Sequence, residues 1–302
     1  MTLSIDQRAQ GCLVGLACGD AVGATVEFYL RGQFPPVTDM VGGGMFHLAK
    51  GQWTDDTAMA LCLADSLLAC QRFDAQDQMQ RYLRWLYDGY NSSTGRAFGV
   101  GKQIARALFD FEETGIPYSQ QTASHYSGNG SLMRLAPVIL AYYRNPISLA
   151  HYAALSSQTT HASHECIQSC QYFAEVVRRA LLGMPKTALF DDLSCKQFSY
   201  LTHLCQQDFC HKTADEINSS GYVVDCLEAA LWAFWHTADF REAILMAVNL
   251  GGDADTAAAV CGQLAGAYYG YDAIPAHWLS ALYRQSDIQH IAIQLIGLEN
   301  EP

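Results

Sequence analysis

Four glycines recur at every fourth position near the start of the chain, at Gly11, Gly15, Gly19 and Gly23. On a helix that interval returns to the same face one turn later. Each glycine costs a helix about 1 kcal/mol relative to alanine, so a stripe of four implies close approach by another backbone. The pattern predicts a first helix packed tightly into the interior.

Apolar residues keep helical spacing in segment after segment beyond it, and few runs alternate as strands do. The predicted fold class is therefore all-α, a compact multi-helix domain. Helices are expected near 76–88, 101–114, 132–144, 222–237, 275–285 and 287–297. Asn145-Pro146 reads as a cap with proline in the first turn ahead of 147–155, and Asp239 as a cap ahead of 240–248. Gly183 and Pro185 close the helix that carries Phe173, Val176, Val177 and Leu181. Pro35-Pro36 and glycines 42–44 mark a surface excursion between two helices, and 186–221, the least periodic stretch, reads as irregular loop. No linker divides the chain, so one domain over residues 1–302 is expected.

Half of the 302 residues are hydrophobic, enough for a large core. Charged residues make up 16% and sum to −12, which disfavours non-specific binding to nucleic acid or an anionic membrane. An anionic substrate would need positive charge supplied locally. The eleven cysteines are odd in number and many sit in apolar stretches, which suits reduced thiols better than a disulfide framework. Cys205, Cys210 and His211 lack the second spaced pair that a zinc site requires. The opening residues 1–6 carry no basic region before an apolar run, and no apolar stretch reaches the length of a membrane span. A cytoplasmic location is expected.

Two acidic clusters about two hundred residues apart share a design. Gly51-Gln-Trp-Thr54-Asp55-Asp56-Thr-Ala-Met-Ala and Gly251-Gly-Asp253-Ala-Asp255-Thr256-Ala-Ala-Ala each open an apolar helix of small residues. One reading is helix capping, since an Asp or Thr side chain satisfies free N–H groups and complements the helix dipole. Capping needs one such residue, whereas each cluster offers two carboxylates and neighbouring hydroxyls. Four carboxylates near a core would repel one another and raise each other's pKa unless cations intervened. The second reading is therefore metal binding, with oxygen ligands that suit magnesium or manganese. Two pairs suggest two ions. A third reading takes Asp253-Ala-Asp255-Thr256 as the aspartyl nucleophile of haloacid-dehalogenase-like phosphatases. That motif closes a buried strand near an N-terminus, and here it follows a helix and a Gly-Gly turn.

With these features in place, the sequence resembles the ADP-ribosylglycohydrolases, the family that includes the dinitrogenase reductase-activating enzymes of bacteria. The resemblance rests on five segments in order: Gly11-Cys-Leu-Val-Gly-Leu-Ala-Cys-Gly-Asp-Ala-Val-Gly-Ala-Thr-Val-Glu27, Trp53-Thr-Asp-Asp-Thr57, Gly128-Asn-Gly-Ser-Leu-Met-Arg134, Thr160-His161 and Leu250-Gly-Gly-Asp-Ala-Asp-Thr256. It implies an all-helical domain with a two-metal site, magnesium or manganese, whose ligands would be Thr54, Asp55, Asp56, Asp253, Asp255 and Thr256. It also implies that Glu27 moves protons or orders the attacking water at the ribose anomeric carbon. On its own, Glu27 reads as a solvated residue after an apolar helix. Gly128, Asn129, Gly130 and Ser131 resemble the family's diphosphate loop, where backbone N–H groups and a serine hydroxyl meet phosphate oxygens. His161 falls where the family lines its nucleotide pocket.

One segment departs from the pattern. Family members acting on arginine carry an aspartate in a Cys-Phe-Asp-Ile-Gly stretch, and the aligned residues here are Ala97-Phe98-Gly99-Val100-Gly101. Asp88 or Asp110 are the nearby carboxylates that would have to replace it. Three functions follow from these features: removal of ADP-ribose from a protein, two-metal hydrolysis of another ADP-ribosylated or phosphorylated small molecule, or binding of an ADP-ribosylated partner without turnover. A monomer is expected.

Overall fold

The computed structural model describes residues 3–298, so Met1, Thr2 and 299–302 of the expected domain lie outside the described residues. The helices are α1 (Ile5–Gly23), α2 (Asp55–Cys70), α3 (Ala75–Asp88), α4 (Lys102–Thr114), α5 (Ala136–Tyr142), α6 (Pro146–Gln158), α7 (His164–Leu181), the single turn α8 (Thr202–Cys205), α9 (Val223–Trp235), α10 (Phe240–Val248), α11 (Ala254–Tyr269), α12 (Ala276–Ala281) and α13 (Gln285–Ile296). Among the described residues there is no strand, only two isolated bridges at Gly43–Leu48 and Gly128–Tyr222. The all-α expectation holds.

The centre of the fold is the antiparallel pair α1 and α11. A Cβ placed on Gly11, Gly15 or Gly19 would run into the carbonyl oxygens of Gly266, Gly262 and Ala258, and one on Gly23 into the Asp255 backbone. Gly262 and Gly266 face back onto Gly15 and Gly11 in the same way. The glycine stripe is thus the contact surface of two backbones, and it sets the C-terminal end of α1 beside the N-terminal end of α11. From Gly11 to Gly23 every residue of α1 is buried, and so is α11 from Ala254 to Ala267.

Several ends are capped as the sequence signals. Asn145 accepts from the Ile147 and Ser148 amides, and Asp239 from that of Glu242. The helix expected over 132–144 begins only at Ala136, because residues 131–134 form a turn and Pro137 starts the helix better than it continues one. The helix expected over 275–285 ends at Ala281, where Leu282 is extended and Arg284 left-handed. The stretch 186–221 consists of short turns and α8. The excursion 24–53 is fastened to α10 through Asn249, which accepts from the Val37 amide at 2.8 Å and donates to its carbonyl at 2.9 Å. All eleven cysteines are free thiols. No helix among the described residues is long and apolar enough to cross a membrane.

Candidate active site

The two acidic clusters meet at the end of the α1–α11 pair. Thr54 is the N-cap of α2 and Asp253 the N-cap of α11, yet neither side chain caps its helix. The cap of α2 comes from Asp20 instead. Its Oδ1 accepts from the Thr54 amide at 2.9 Å, and its Oδ2 accepts from the Thr57 amide at 3.0 Å and the Thr57 hydroxyl at 2.6 Å. With that task taken over, capping does not explain the clusters, and their carboxylates turn toward each other. Thr54 Oγ1 donates to Asp255 Oδ2, and Thr256 Oγ1 to Asp56 Oδ1, both at 3.3 Å. Asn129 Nδ2 donates to Asp253 Oδ2 at 2.8 Å.

Glu27 joins them from the segment after α1. The Phe28 amide donates to the Gly252 carbonyl and the Gly252 amide to the Tyr29 carbonyl, each at 2.7 Å, which pins this segment to the Gly251-Gly252 turn. Oxygens of Glu27, Asp253 and Asp255 fall within 4.8 Å of one another. Glu27 Oε2, Asp56 Oδ2 and Asp255 Oδ1 are buried without any hydrogen-bond partner. Among the described residues no side-chain ion pair involves these carboxylates.

The electrostatics follow from that crowding. Burial first, and then the neighbouring carboxylates, hold Asp55, Asp56 and Asp255 well above the usual carboxylate range. Glu27 is pushed up to about 8 by burial and by Asp253, and Asp20 to about 6 by burial against its hydrogen bonds from Thr57 and Thr54. Orphaned, mutually repelling oxygens at two helix N-termini are a donor set for hard divalent cations, and the residues present fit that group.

A cleft runs from this cluster. It is lined by Glu27, Phe28, Asp55, Asp56, Asp253, Asp255 and Thr256 together with Gly128, Asn129, Gly130 and His161, and by Gly99 and the start of α4. The glycine loop is laid against residues 219–223. The Asn129 amide donates to the Gly221 carbonyl at 3.0 Å and the Val223 amide to that of Ser127 at 2.9 Å. Ser131 and Thr54 stand behind the lining. The Ser131 hydroxyl is paired with that of Ser157 at 2.8 Å, and the residue is 1% exposed and does not line the cleft. Lys102 is the lysine on the rim.

Asp88 and Asp110 do not replace the missing aspartate. Neither lines the cleft, since Asp88 is exposed at the end of α3 and Asp110 faces Arg106. Gly99 itself adopts φ +71°, and a Cβ there would meet Asp55 Oδ1. The group of Cys205, Cys210 and His211 forms no three-ligand cluster among the described residues. Asp20 and Arg134 were not singled out by sequence pattern, although both stand inside matched segments. A charged residue buried in a small-residue helix, as Asp20 is, was the available signal.

A model of the ADP-ribosylglycohydrolase family matches residues 1–302. The chain is 40% identical over 296 residues to the ADP-ribosylarginine hydrolase Tri1 of Serratia proteamaculans, covering 97% of this chain and 80% of that one. It is 35% identical over 286 residues to the ADP-ribosyl-(dinitrogen reductase) glycohydrolase of Rhodospirillum rubrum, covering 92% and 91%. Its fold matches a solved structure described as an ADP-ribosylglycohydrolase-related protein complex with a TM-score of 0.87 and 42% identity, covering 98% and 99% of the two chains. With the motif order, the fold and these relatives in agreement, the chain belongs to the ADP-ribosylglycohydrolase family, hydrolases that act on glycosyl bonds.

Proposed function

We propose that this protein removes ADP-ribose from a modified protein side chain, working as a monomeric single domain with two Mg2+ or Mn2+ ions held by Thr54, Asp55, Asp56, Asp253, Asp255 and Thr256. The observation that carries the reading is the meeting of the two acidic clusters with Glu27 in one cleft, with three carboxylate oxygens left without partners. Ions bound there would supply Lewis acidity and fix the ribose hydroxyls in register.

The chain's own residues do the rest. Glu27, held beside Asp253 and Asp255, transfers a proton at the anomeric centre or orients the attacking water. Gly128 and Gly130 offer backbone N–H groups to the diphosphate, Asn129 the second hydrogen of the side-chain amide that already holds Asp253, and His161 lines the same cleft. Relatives named for ADP-ribosylarginine and for ADP-ribosylated dinitrogen reductase support a protein substrate, with arginine as the linked residue.

The test is release of ADP-ribose from an arginine-ADP-ribosylated protein by wild type and by Asp55→Ala, each with Mg2+ and with EDTA. Release that needs both Asp55 and metal supports the reading. Release that survives EDTA overturns the metal part, and binding of the modified protein without release would make this chain a binder.

A further inference from the structure

Arg134 is fully buried, enters no ion pair among the described residues, and lies 4.7 Å over the ring of Tyr82. Its hydrogen bonds run toward the cleft. Nη1 donates to the Gly130 carbonyl at 3.0 Å, and Nη2 donates to Thr160 Oγ1 at 2.7 Å, with longer contacts to Thr159 Oγ1 at 3.3 Å and the Ser156 carbonyl at 3.4 Å. One side chain thus holds both the glycine loop and the residue before His161.

A guanidinium has donors only. The Thr160 hydroxyl therefore accepts from Arg134 and, with no acceptor for its own hydrogen among the described residues other than His161 Nδ1 at 2.7 Å, donates it there rather than leave it buried and unpaired. A ring nitrogen that accepts carries no proton, so a neutral imidazole arranged this way is protonated on Nε2. The ring is neutral because burial, and then the nearby guanidinium, push its pKa well below the ordinary value.

The Nε2 edge faces the two glycines of the loop. A Cβ on Gly128 would stand 3.2 Å from Nε2, and one on Gly130 would stand 2.8 Å from Cε1, so side chains there would cover this edge. His161 lines the cleft, and among the described residues no hydrogen bond engages its Nε2.

We propose that Arg134 is a positioning residue which, through Thr160, fixes His161 in the Nε2-protonated tautomer, so that the cleft presents a neutral N–H donor to an acceptor atom of the bound ADP-ribosyl group. The tautomer is a property of the free protein. Only its recipient rests on the reading of the cleft given above.

Long-range proton–nitrogen correlation on labelled protein reads the tautomer directly, with His161 signals assigned by their loss in His161→Gln. Wild type is expected to show an unprotonated Nδ1 and a protonated Nε2, and a protonated Nδ1 overturns the proposal whatever the activity. Thr160→Val keeps the shape and removes the relay. It should mix the two tautomers and raise KM for the ADP-ribosylated protein about tenfold with little change in kcat, as loss of one hydrogen bond implies. Thr160→Ser should restore both. Arg134→Lys, which still only donates, should keep the tautomer, whereas Arg134→Gln, which can also accept, should release it; equal behaviour of the two overturns the part given to Arg134. An unmoved KM in Thr160→Val overturns the donor role. Failure of wild type to bind ADP-ribose at all sinks the ADP-ribosyl reading and the recipient with it, while the tautomer result stands.

Discussion

Asp20, inside the first helix, accepts a hydrogen bond at 2.9 Å from the backbone amide of Thr54, thirty-four residues later, and so caps the helix that carries half of the acidic cluster. The bond explains why Thr54 is free to point at Asp255 instead of at its own helix. It also makes α1 a shared scaffold, since the same helix packs its glycines on α11 and its aspartate on α2.

Replacing Asp20 should therefore loosen a helix start and the proposed metal ligands together. Asp20→Ala removes three hydrogen bonds and leaves the Thr54 and Thr57 amides buried without partners, at a cost of about 2–4 kcal/mol. Urea unfolding in EDTA measures that loss. The gain in melting temperature on adding Mg2+ should also shrink, and an undiminished gain would mean that the ligands do not depend on this cap.

Metal-free protein should lose stability as the pH rises. Glu27 has an ordinary pKa of 4.5 and about 8 in the fold, and Asp55, Asp56 and Asp255 are shifted in the same direction. Groups whose pKa is raised by folding contribute fully below their unfolded pKa and progressively less as the pH climbs through the folded value. In EDTA, these carboxylates should lower the melting temperature from about pH 4.5 to about pH 8, outweighing the opposite contribution of His161, whose lowered pKa favours the fold as the pH rises toward 6.5. Saturating Mg2+ or Mn2+ should remove most of that slope, since it replaces the repulsion with binding to the folded state. Asp255→Asn should flatten the slope in EDTA and lose the response to metal. A flat profile in wild-type EDTA samples would mean that the carboxylates are neutralised by something in the protein.

Much of this was legible in the chain before its fold was known, for physical reasons that differ by residue. The glycine stripe was readable because close backbone approach is the use that repays four glycines in one helix. Asp55, Asp56, Asp253 and Asp255 stood out because a helix start needs one carboxylate and each had two. The capping reading could not be discarded from sequence, because the competing cap, Asp20, reaches α2 only once the helices are packed. Asp88 and Asp110 lie near Gly99 along the chain, but the faces of α3 and α4 turn them away from the cleft. The Ser131 hydroxyl is taken by Ser157, a partner on α6 twenty-six residues away that leaves no local signal.

The close pairing of α1 and α11 should make its glycines intolerant of a single methyl group. A Cβ at Gly19 would enter the Ala258 carbonyl, backbone that cannot turn aside. Gly19→Ala is expected to cost about 3 kcal/mol or more, against the small gain alanine brings to an open helix. Gly32→Ala is the comparison. No atom lies within 4 Å of its Cβ, so only its φ of +77° opposes the change, at about 1 kcal/mol. Equal losses in denaturant unfolding would show that the two helices can move apart.

Gly99 stands where the family resemblance leads one to expect an aspartate, and the structure gives the position a different role. Its Cα lies against Asp55, so that any side chain would reach Asp55 Oδ1 from a backbone already at φ +71°. Gly99→Ala should therefore disturb the proposed metal ligand Asp55 more than the fold. We expect kcat/KM for ADP-ribose release to fall at least about tenfold, a loss of about 1.4 kcal/mol in transition-state stabilisation, together with a weaker stabilising effect of Mg2+. Gly101→Ala is the matched control two residues on, where the added Cβ meets only Ile104 Cδ1 at 3.9 Å and the backbone at φ −62° suits alanine. If Gly99→Ala leaves both metal response and turnover at the level of Gly101→Ala, the loop gives way to the side chain and glycine is not required there. If it alone loses both, the missing aspartate is explained, because in this backbone the place of its side chain is occupied by Asp55.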